Sequence, residues 1–229
     1  MSKTKQRLLP LQALGYKHKT DKHDSHHTFA GKSYLQTYEM YLAHLRDKQI
    51  NFLEIGVRDG CSHRMWSEFF SEDSRIIGLD IDPRCKEFEH KNIEVFIGSQ
   101  SDPEVINDML QKVPDGFDVI IDDGSHVNEL TLKSFELLFS HLKPGGIYII
   151  EDLACSYLGK QLEEDIVVGG WPGMKYNQDV KFDNNREDMD KFFLNLIRQI
   201  DLSETQEYEW VHFYSKIAII RKQQKEEGK

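Results

Sequence analysis

The chain has little of what would mark it for export, a membrane or nucleic acid. Its three cysteines, Cys61, Cys85 and Cys155, are an odd number without metal-type spacing, so neither a disulfide framework nor a thiolate metal site is expected. The opening MSKTKQRLLPLQ lacks the apolar run of a signal peptide. No apolar stretch approaches the roughly 20 residues needed to cross a bilayer. The expectation is a soluble, reduced, cytoplasmic protein. Positive charge is also short: 29 Lys and Arg against 39 Asp and Glu leave a net charge of -10. A broad grip on nucleic-acid phosphates needs clustered Lys and Arg, so a small or neutral partner fits better. Internal repeats are missing as well. What remains is 229 residues with 39% apolar side chains, enough for one substantial α/β core.

The order of apolar patterns sets the organisation. Residues 1–32 are basic, His-rich and short of apolar periodicity, and read as an irregular N-terminal arm. From Ser33, Tyr34, Tyr38, Tyr41 and Leu45 recur at helical spacing, with Ser33 as the cap. The rhythm then becomes strand and helix in turn: INFLEIG before CSHRMWSEFF, RIIGLDI, IEVFIG, FDVIID and GGIYII, each of the middle three followed by a helix. Parallel strands need crossover connections, and right-handed crossovers cover both faces of a sheet with helices. After Asp152 the alternation stops in a Gly-rich, aromatic segment, about 153–185, that reads as a lid inserted into a single domain spanning 33–221. A helix carrying Met189, Phe193 and Leu196 follows, then YEWVHFY and KIAIIR, too closely linked for anything but an antiparallel hairpin. Residues 222–229 read as a frayed tail. The fold class is therefore α/β and Rossmann-like: seven strands, mostly parallel, with a C-terminal antiparallel hairpin and helices on both faces.

Open parallel sheets bind ligands beyond the carboxyl ends of their strands. Those ends here are Glu54-Ile55-Gly56 with Gly60 following, Asp80, Gly98-Ser99-Gln100, Asp122-Asp123-Gly124-Ser125-His126 and Glu151-Asp152. Apolar strands thus deliver an acidic cluster to one edge. The first loop is Glu-x-Gly-x-x-x-Gly rather than Gly-x-Gly-x-x-Gly, and a carboxylate at Glu54 repels a pyrophosphate while favouring a cationic ligand. Asp80, 20 residues after Gly60 at the end of the second strand, stands where an acid takes ribose hydroxyls. Ribose joined to a positive group, without phosphate, describes S-adenosylmethionine.

Taken together, Glu-x-Gly-x-x-x-Gly, the ribose acid, Asp-Asp-Gly-Ser-His, Leu-Lys-Pro-Gly-Gly and the following Glu-Asp resemble the class I S-adenosylmethionine-dependent methyltransferases. More narrowly, residues 14–221 resemble the metal-dependent sugar O-methyltransferases of macrolide tailoring, of mycinamicin and macrocin type, which are related to the cephalosporin hydroxylase and rhamnosyl O-methyltransferase group. The Lys-Pro-Gly-Gly and Glu-x-Gly elements are common to the superfamily; Asp-Asp-Gly-Ser-His with Glu-Asp one strand later is much more specific. The resemblance implies Asp123, Glu151 and Asp152 as Mg2+ ligands and His126 as general base. It also implies Glu54, Gly56, Gly60, Asp80, Gln100 and Asp122 as the cofactor-binding set. The segment KTDKHDSHHTF resembles a Thr-Asp-Lys stretch placed before the first helix of these enzymes, with no role assigned to His26 or His27. The implied partner is a hydroxyl acceptor, a sugar or glycosylated small molecule, with no nucleic acid or membrane; a homo-oligomer is compatible with it.

The chemistry agrees. A sugar hydroxyl holds its proton far above pH 7, and a metal that lowers its pKa beside a histidine that removes the proton solves that problem. Rival readings are a catechol-type O-methyltransferase acting on an aromatic diol and a non-catalytic S-adenosylmethionine-binding protein. The latter has no reason to keep carboxylates at both strand ends beside His126. N-methylation commonly uses an Asn/Asp-Pro-Pro-Tyr/Phe motif, absent where DDGSH stands, and no two-histidine iron triad is present. His63, His90, His141 and His212 read as structural or solvated, the aromatic stripes as core, and Trp171 as either a sugar platform or surface packing.

Overall fold

A computed structural model describes residues 10–23, 33–46, 48–158, 183–203 and 207–224. Seven strands form one sheet: β1 (Asn51–Ile55), β2 (Arg75–Asp80), β3 (Ile93–Ile97), β4 (Phe117–Asp122), β5 (Leu142–Ile150), β6 (Tyr208–Tyr214) and β7 (Ile217–Lys222). Their order is β3-β2-β1-β4-β5-β7-β6. The first five run parallel, and β7 enters antiparallel between β5 and β6. The expected hairpin is therefore present, with its second strand on the inside of the edge. That placement follows from composition: Ile217, Ala218, Ile219 and Ile220 are all fully buried, as a strand covered on both faces requires, whereas β6 carries His212, Phe213 and Tyr214 exposed.

Helices cover both faces. On one side α1 (Leu11–His18), α2 (Tyr34–Leu42) and α3 (Cys61–Phe69) bury Leu11, Leu14, Tyr38, Met65 and Trp66 against the sheet residues Phe52, Val119 and Ile149. The Trp66 ring stacks on Phe70 at 5.7 Å and lies 5.0 Å from Phe52, filling that face with aromatic volume. On the other side α4 (Pro103–Lys112), α5 (Asn128–Leu138) and α6 (Arg186–Leu202) bury Met109, Leu138, Phe193 and Leu196 against Leu53, Ile120 and Ile220. Local chemistry starts the elements cleanly: Asp102 accepts the Glu104 N–H at 2.9 Å ahead of Pro103, and Asn185 accepts the Glu187 N–H at 3.2 Å.

The structure adds detail in three places. The N-terminal arm is not wholly irregular: residues 11–18 form α1, because Leu11, Leu14 and Gly15 make a short buried stripe and Glu39 caps its first turn by accepting the Leu11 N–H at 2.7 Å. The segment after Pro83 is a 3-10 helix, Pro83–Phe88. The segment expected to form a lid begins with a 3-10 helix over Leu153–Tyr157, and residues 183–185 lead into α6. Residues 159–182, with Trp171, and His26 and His27 lie outside the described residues.

Candidate active site

Register brings the strand ends level. Ile55 pairs with Leu79 and with Asp122, and Asp122 with Ile150, so Gly56, Asp123 and Glu151 stand one residue beyond three adjacent strands. The Asp123 N–H bonds Ile55 O at 3.1 Å, and the Glu151 N–H bonds Asp122 O at 2.9 Å, so the sheet ladder positions the acids themselves. Gly56 adopts φ +95, and a Cβ there would meet the Asp123 carbonyl oxygen at 2.1 Å. Only a glycine allows the β1 and β4 loops to close so tightly.

The expected cofactor residues divide into two groups. Asp80 shapes the first loop: its Oδ2 accepts the N–H groups of Val57 at 2.8 Å and Arg58 at 3.0 Å, and its Oδ1 accepts the Asp82 N–H at 2.9 Å. Gly60, in a left-handed conformation, begins α3 against the Phe88 ring. Gln100 and Asp122 are instead committed to each other beneath the β4 loop. The Gln100 amide donates to both Asp122 oxygens at 3.1 and 3.2 Å and accepts the Ser125 N–H at 2.8 Å, while Ser134 Oγ donates to Asp122 Oδ2 at 2.5 Å. Burial raises the Asp122 pKa and these donors offset only part of that rise, and the pair reads as the brace that shapes the turn carrying Asp123 to His126.

Glu54 is fully buried. Its Oε2 accepts the Ser62 hydroxyl at 2.6 Å and lies 3.2 Å from His63 Nδ1. Gly78 on β2 makes room for that imidazole, since a Cβ there would meet His63 Nε2 at 2.7 Å. Burial holds His63 below its usual range, so it stands as a neutral ring fixing Glu54. Glu54 Oε1 has no hydrogen-bond partner among the described residues and faces the Lys22 ammonium at 3.3 Å.

Lys22 comes from the KTDK stretch and is 2% exposed. Its Nζ reaches Asp123 Oδ2 at 2.5 Å and the two Glu151 oxygens at 2.8 and 2.9 Å. Burial alone would lower its pKa, but Asp123, Glu151 and Glu54 outweigh burial and hold it well above the ordinary lysine value. Two tyrosines of α2 complete the surroundings, Tyr34 donating to Asp152 Oδ1 at 2.8 Å and Tyr38 to Glu151 Oε1 at 2.6 Å. Burial and those carboxylates raise both phenols, so they remain donors.

The three expected metal ligands do not fall in a single cluster. One group is Glu54, Asp123 and Glu151; the other is Asp123, His126 and Asp152, each with donor atoms within 4.8 Å of one another. Asp123 belongs to both. Its Oδ1 lies 3.8 Å from His126 Nε2, and Asp152 Oδ2 lies 4.0 Å from the same nitrogen. Glu151 is turned inward, toward Lys22 and Tyr38. Burial raises the Asp123 and Glu151 carboxyls, and Lys22 opposes that rise in both.

His126 sits two residues before α5, which begins at Asn128, and its backbone is left-handed at φ +56. Asp152 is also left-handed, at φ +52. Such non-glycine conformations cost roughly 1–3 kcal/mol each and persist where surrounding contacts fix them. Asn184 does so here, donating to His126 O at 3.0 Å and Cys155 O at 2.8 Å while accepting the Asn128 N–H at 2.8 Å. Sequence reasoning missed the roles of Lys22, Tyr34, Tyr38 and Asn184, with KTDK the one visible signal among them, while His63 is structural, as expected.

This strand order, with an acidic edge beyond β1, β2, β4 and β5, defines a class I methyltransferase fold. Residues 53–153 match the family described as a methyltransferase domain. The chain is 35% identical over 149 residues to the demethylmacrocin O-methyltransferase of Streptomyces fradiae, covering 62% of this chain and 34% of the relative. It is 38% identical over 127 residues to the mycinamicin VI 2''-O-methyltransferase of Micromonospora griseorubida, covering 52% and 31%. Among solved structures it is similar to the MycE methyltransferase of the mycinamycin pathway in complex with Mg and SAH, with a TM-score of 0.73 and 29% identity over 97% of this chain and 57% of that one. The chain therefore has the class I methyltransferase fold and is similar to these sugar O-methyltransferases, and it spans about a third of the length of the curated relatives it matches.

Proposed function

We propose that the chain transfers a methyl group from S-adenosylmethionine to a hydroxyl of a sugar or glycosylated small molecule, with Mg2+ as the second cofactor. The observation that carries this reading is the convergence of Asp123 Oδ1 and Asp152 Oδ2 on His126 Nε2, at 3.8 and 4.0 Å. Hard carboxylate oxygens beside an imidazole suit a divalent cation and a base in one place. The donor set therefore fits Mg2+, with Asp123 and Asp152 as its holders and Glu151 behind them. A cationic cofactor also fits, because Glu54, Asp123 and Glu151 outnumber the one Lys22 ammonium among them and leave this edge acidic beside the Gly56 loop. The sugar O-methyltransferases similar to this chain support both assignments, including a MycE structure described with Mg, SAH and mycinamycin VI.

When bound, the sulfonium supplies the methyl group and the cation lowers the pKa of the acceptor hydroxyl. The protein's own part is orientation and proton removal. Asp80 holds the β1 loop through the N–H groups of Val57 and Arg58, Glu54 adds negative charge on the side of the cofactor's positive end, and His126 Nε2 takes the acceptor proton.

The test is methyl transfer to nucleotide sugars, glycosides and catechols, read by mass spectrometry with EDTA and with Mg2+ restored. Transfer to glycosides that requires Mg2+ and falls about 100- to 10,000-fold in His126→Ala, with S-adenosylmethionine binding retained, is expected. Catechol-only transfer overturns the acceptor class; full activity under chelation or an unimpaired variant overturns the mechanism.

A further inference from the structure

Lys22 is separated from Asp123 by 101 residues and from Glu151 by 129, yet it lies at the centre of their cluster. Its segment is tied down by contacts of its own. Asp21 pairs with Arg58 at 2.7 Å, the Thr20 N–H bonds Gly15 O at 3.2 Å, and the His23 ring meets Tyr16 edge-on at 4.2 Å. The lysine is thus delivered to the site by a folded segment, not by a loose end.

An ammonium has three N–H donors. Three carboxylates from three different strand ends stand around this one: Asp123 at 2.5 Å, Glu151 at 2.8 Å and Glu54 at 3.3 Å. Two consequences follow. Ionised carboxylates this close repel one another strongly in a dry interior, and an ammonium among them offsets that repulsion. The contact is also selective, because Lys22 takes Asp123 Oδ2 and leaves Oδ1 on the side of His126.

Building on the function proposed above, we infer that Lys22 is a positioning residue. Its ammonium holds Glu54, Asp123 and Glu151 in a single arrangement and so joins the cofactor end of the site, on β1, to the cation end, on β4 and β5. Without it Asp123 loses the contact that sets its rotamer, and the cation end loses its shape even where the fold survives.

The experiment is calorimetric titration of chelator-stripped full-length protein with MgCl2, alongside far-UV circular dichroism and melting temperature. Wild type binds Mg2+; failure of wild type to bind overturns the functional reading and not this inference. Lys22→Met is expected to keep its circular dichroism, melt lower and bind Mg2+ at least tenfold more weakly. The Lys22→Met/Glu54→Gln double variant removes one cation and one anion together, so it should regain melting temperature but not Mg2+ affinity. That split separates positioning from bulk charge, and the double variant alone decides the matter if the single one does not fold. Unchanged or tighter Mg2+ binding in Lys22→Met overturns the inference, since the lysine would then merely compete with the metal. Recovery of Mg2+ affinity in the double variant overturns it too.

Discussion

Replacing Gly56 by alanine tests whether the contact between the β1 and β4 loops holds the site together. The residue sits at φ +95, where an L side chain is strained, and left-handed backbone costs roughly 1–2 kcal/mol for a non-glycine residue. The added Cβ would also lie 2.1 Å from the Asp123 carbonyl oxygen, a separation that must open to at least 3.0 Å. The obstacle is backbone that is itself bonded to β1 through the Asp123 N–H, so no side-chain rotation relieves it. Overpacking of that kind costs about 1–3 kcal/mol, which brings the total to about 2–5 kcal/mol. A domain stable by roughly 5–15 kcal/mol survives that loss, but with the two loops pushed apart. Urea denaturation should therefore show a lower midpoint with an unchanged slope. Calorimetry at a temperature where the variant is folded should show weakened binding of both S-adenosylmethionine and Mg2+, because Glu54 and Asp123 flank the displaced contact. A stability loss under about 1 kcal/mol with native binding of both ligands would refute the reasoning, since the loops would then have room that the 2.1 Å separation denies them.

Asp80→Ala strips acceptors from three backbone N–H groups at once, so we expect a stability loss of about 1–3 kcal/mol together with weaker S-adenosylmethionine binding. Weaker binding with wild-type stability in urea would leave Asp80 as a ligand contact and remove its loop-shaping role. The thiols give a chemical check on the packing. Burial, with nearby carboxylates, pushes Cys85 and Cys155 up to about 12, so neither is a nucleophile at pH 8, whereas Cys61 is half-exposed and its rise is smaller. Iodoacetamide followed by mass spectrometry should label native protein at Cys61 first and all three cysteines in urea; early label on Cys155 would contradict the burial of the segment next to Asp152.

The parallel part of the sheet was legible because its five strands are apolar runs of the right length and each ends on glycine or acid, as at Ile55-Gly56 and Ile121-Asp122. The hairpin was equally plain from its short link. Position within the edge pair was less plain, and burial explains it: KIAIIR has the continuous apolar character of an inner strand, and YEWVHFY the mixed character of an outer one. The short α1 was missed because one stripe of Leu11 and Leu14 within basic surroundings gives a weak period, and its partner for capping, Glu39, lies 28 residues away.

The candidate site divides along the same physical line. Asp123, Glu151, Asp152 and His126 were visible because a parallel sheet sends strand ends to one edge, so local pattern and topology together placed them. What lies behind them was not visible. Tyr34 and Tyr38 fall on a helical apolar stripe and do bury their rings as core, but periodicity reports where a ring points and says nothing of where its hydroxyl finishes. Lys22 is harder still, for a lysine in a basic segment is ordinarily solvated, and only burial beside Asp123 and Glu151 distinguishes it. A single carboxylate would not hold an ammonium out of water; three brought together by β1, β4 and β5 do. The charge of the N-terminal segment is therefore specified by acids more than 30 residues away, and the acids' arrangement in turn by that charge. Neither half of such a pairing carries its meaning in local sequence, so the shell that supports a site escapes a reading that finds the site itself.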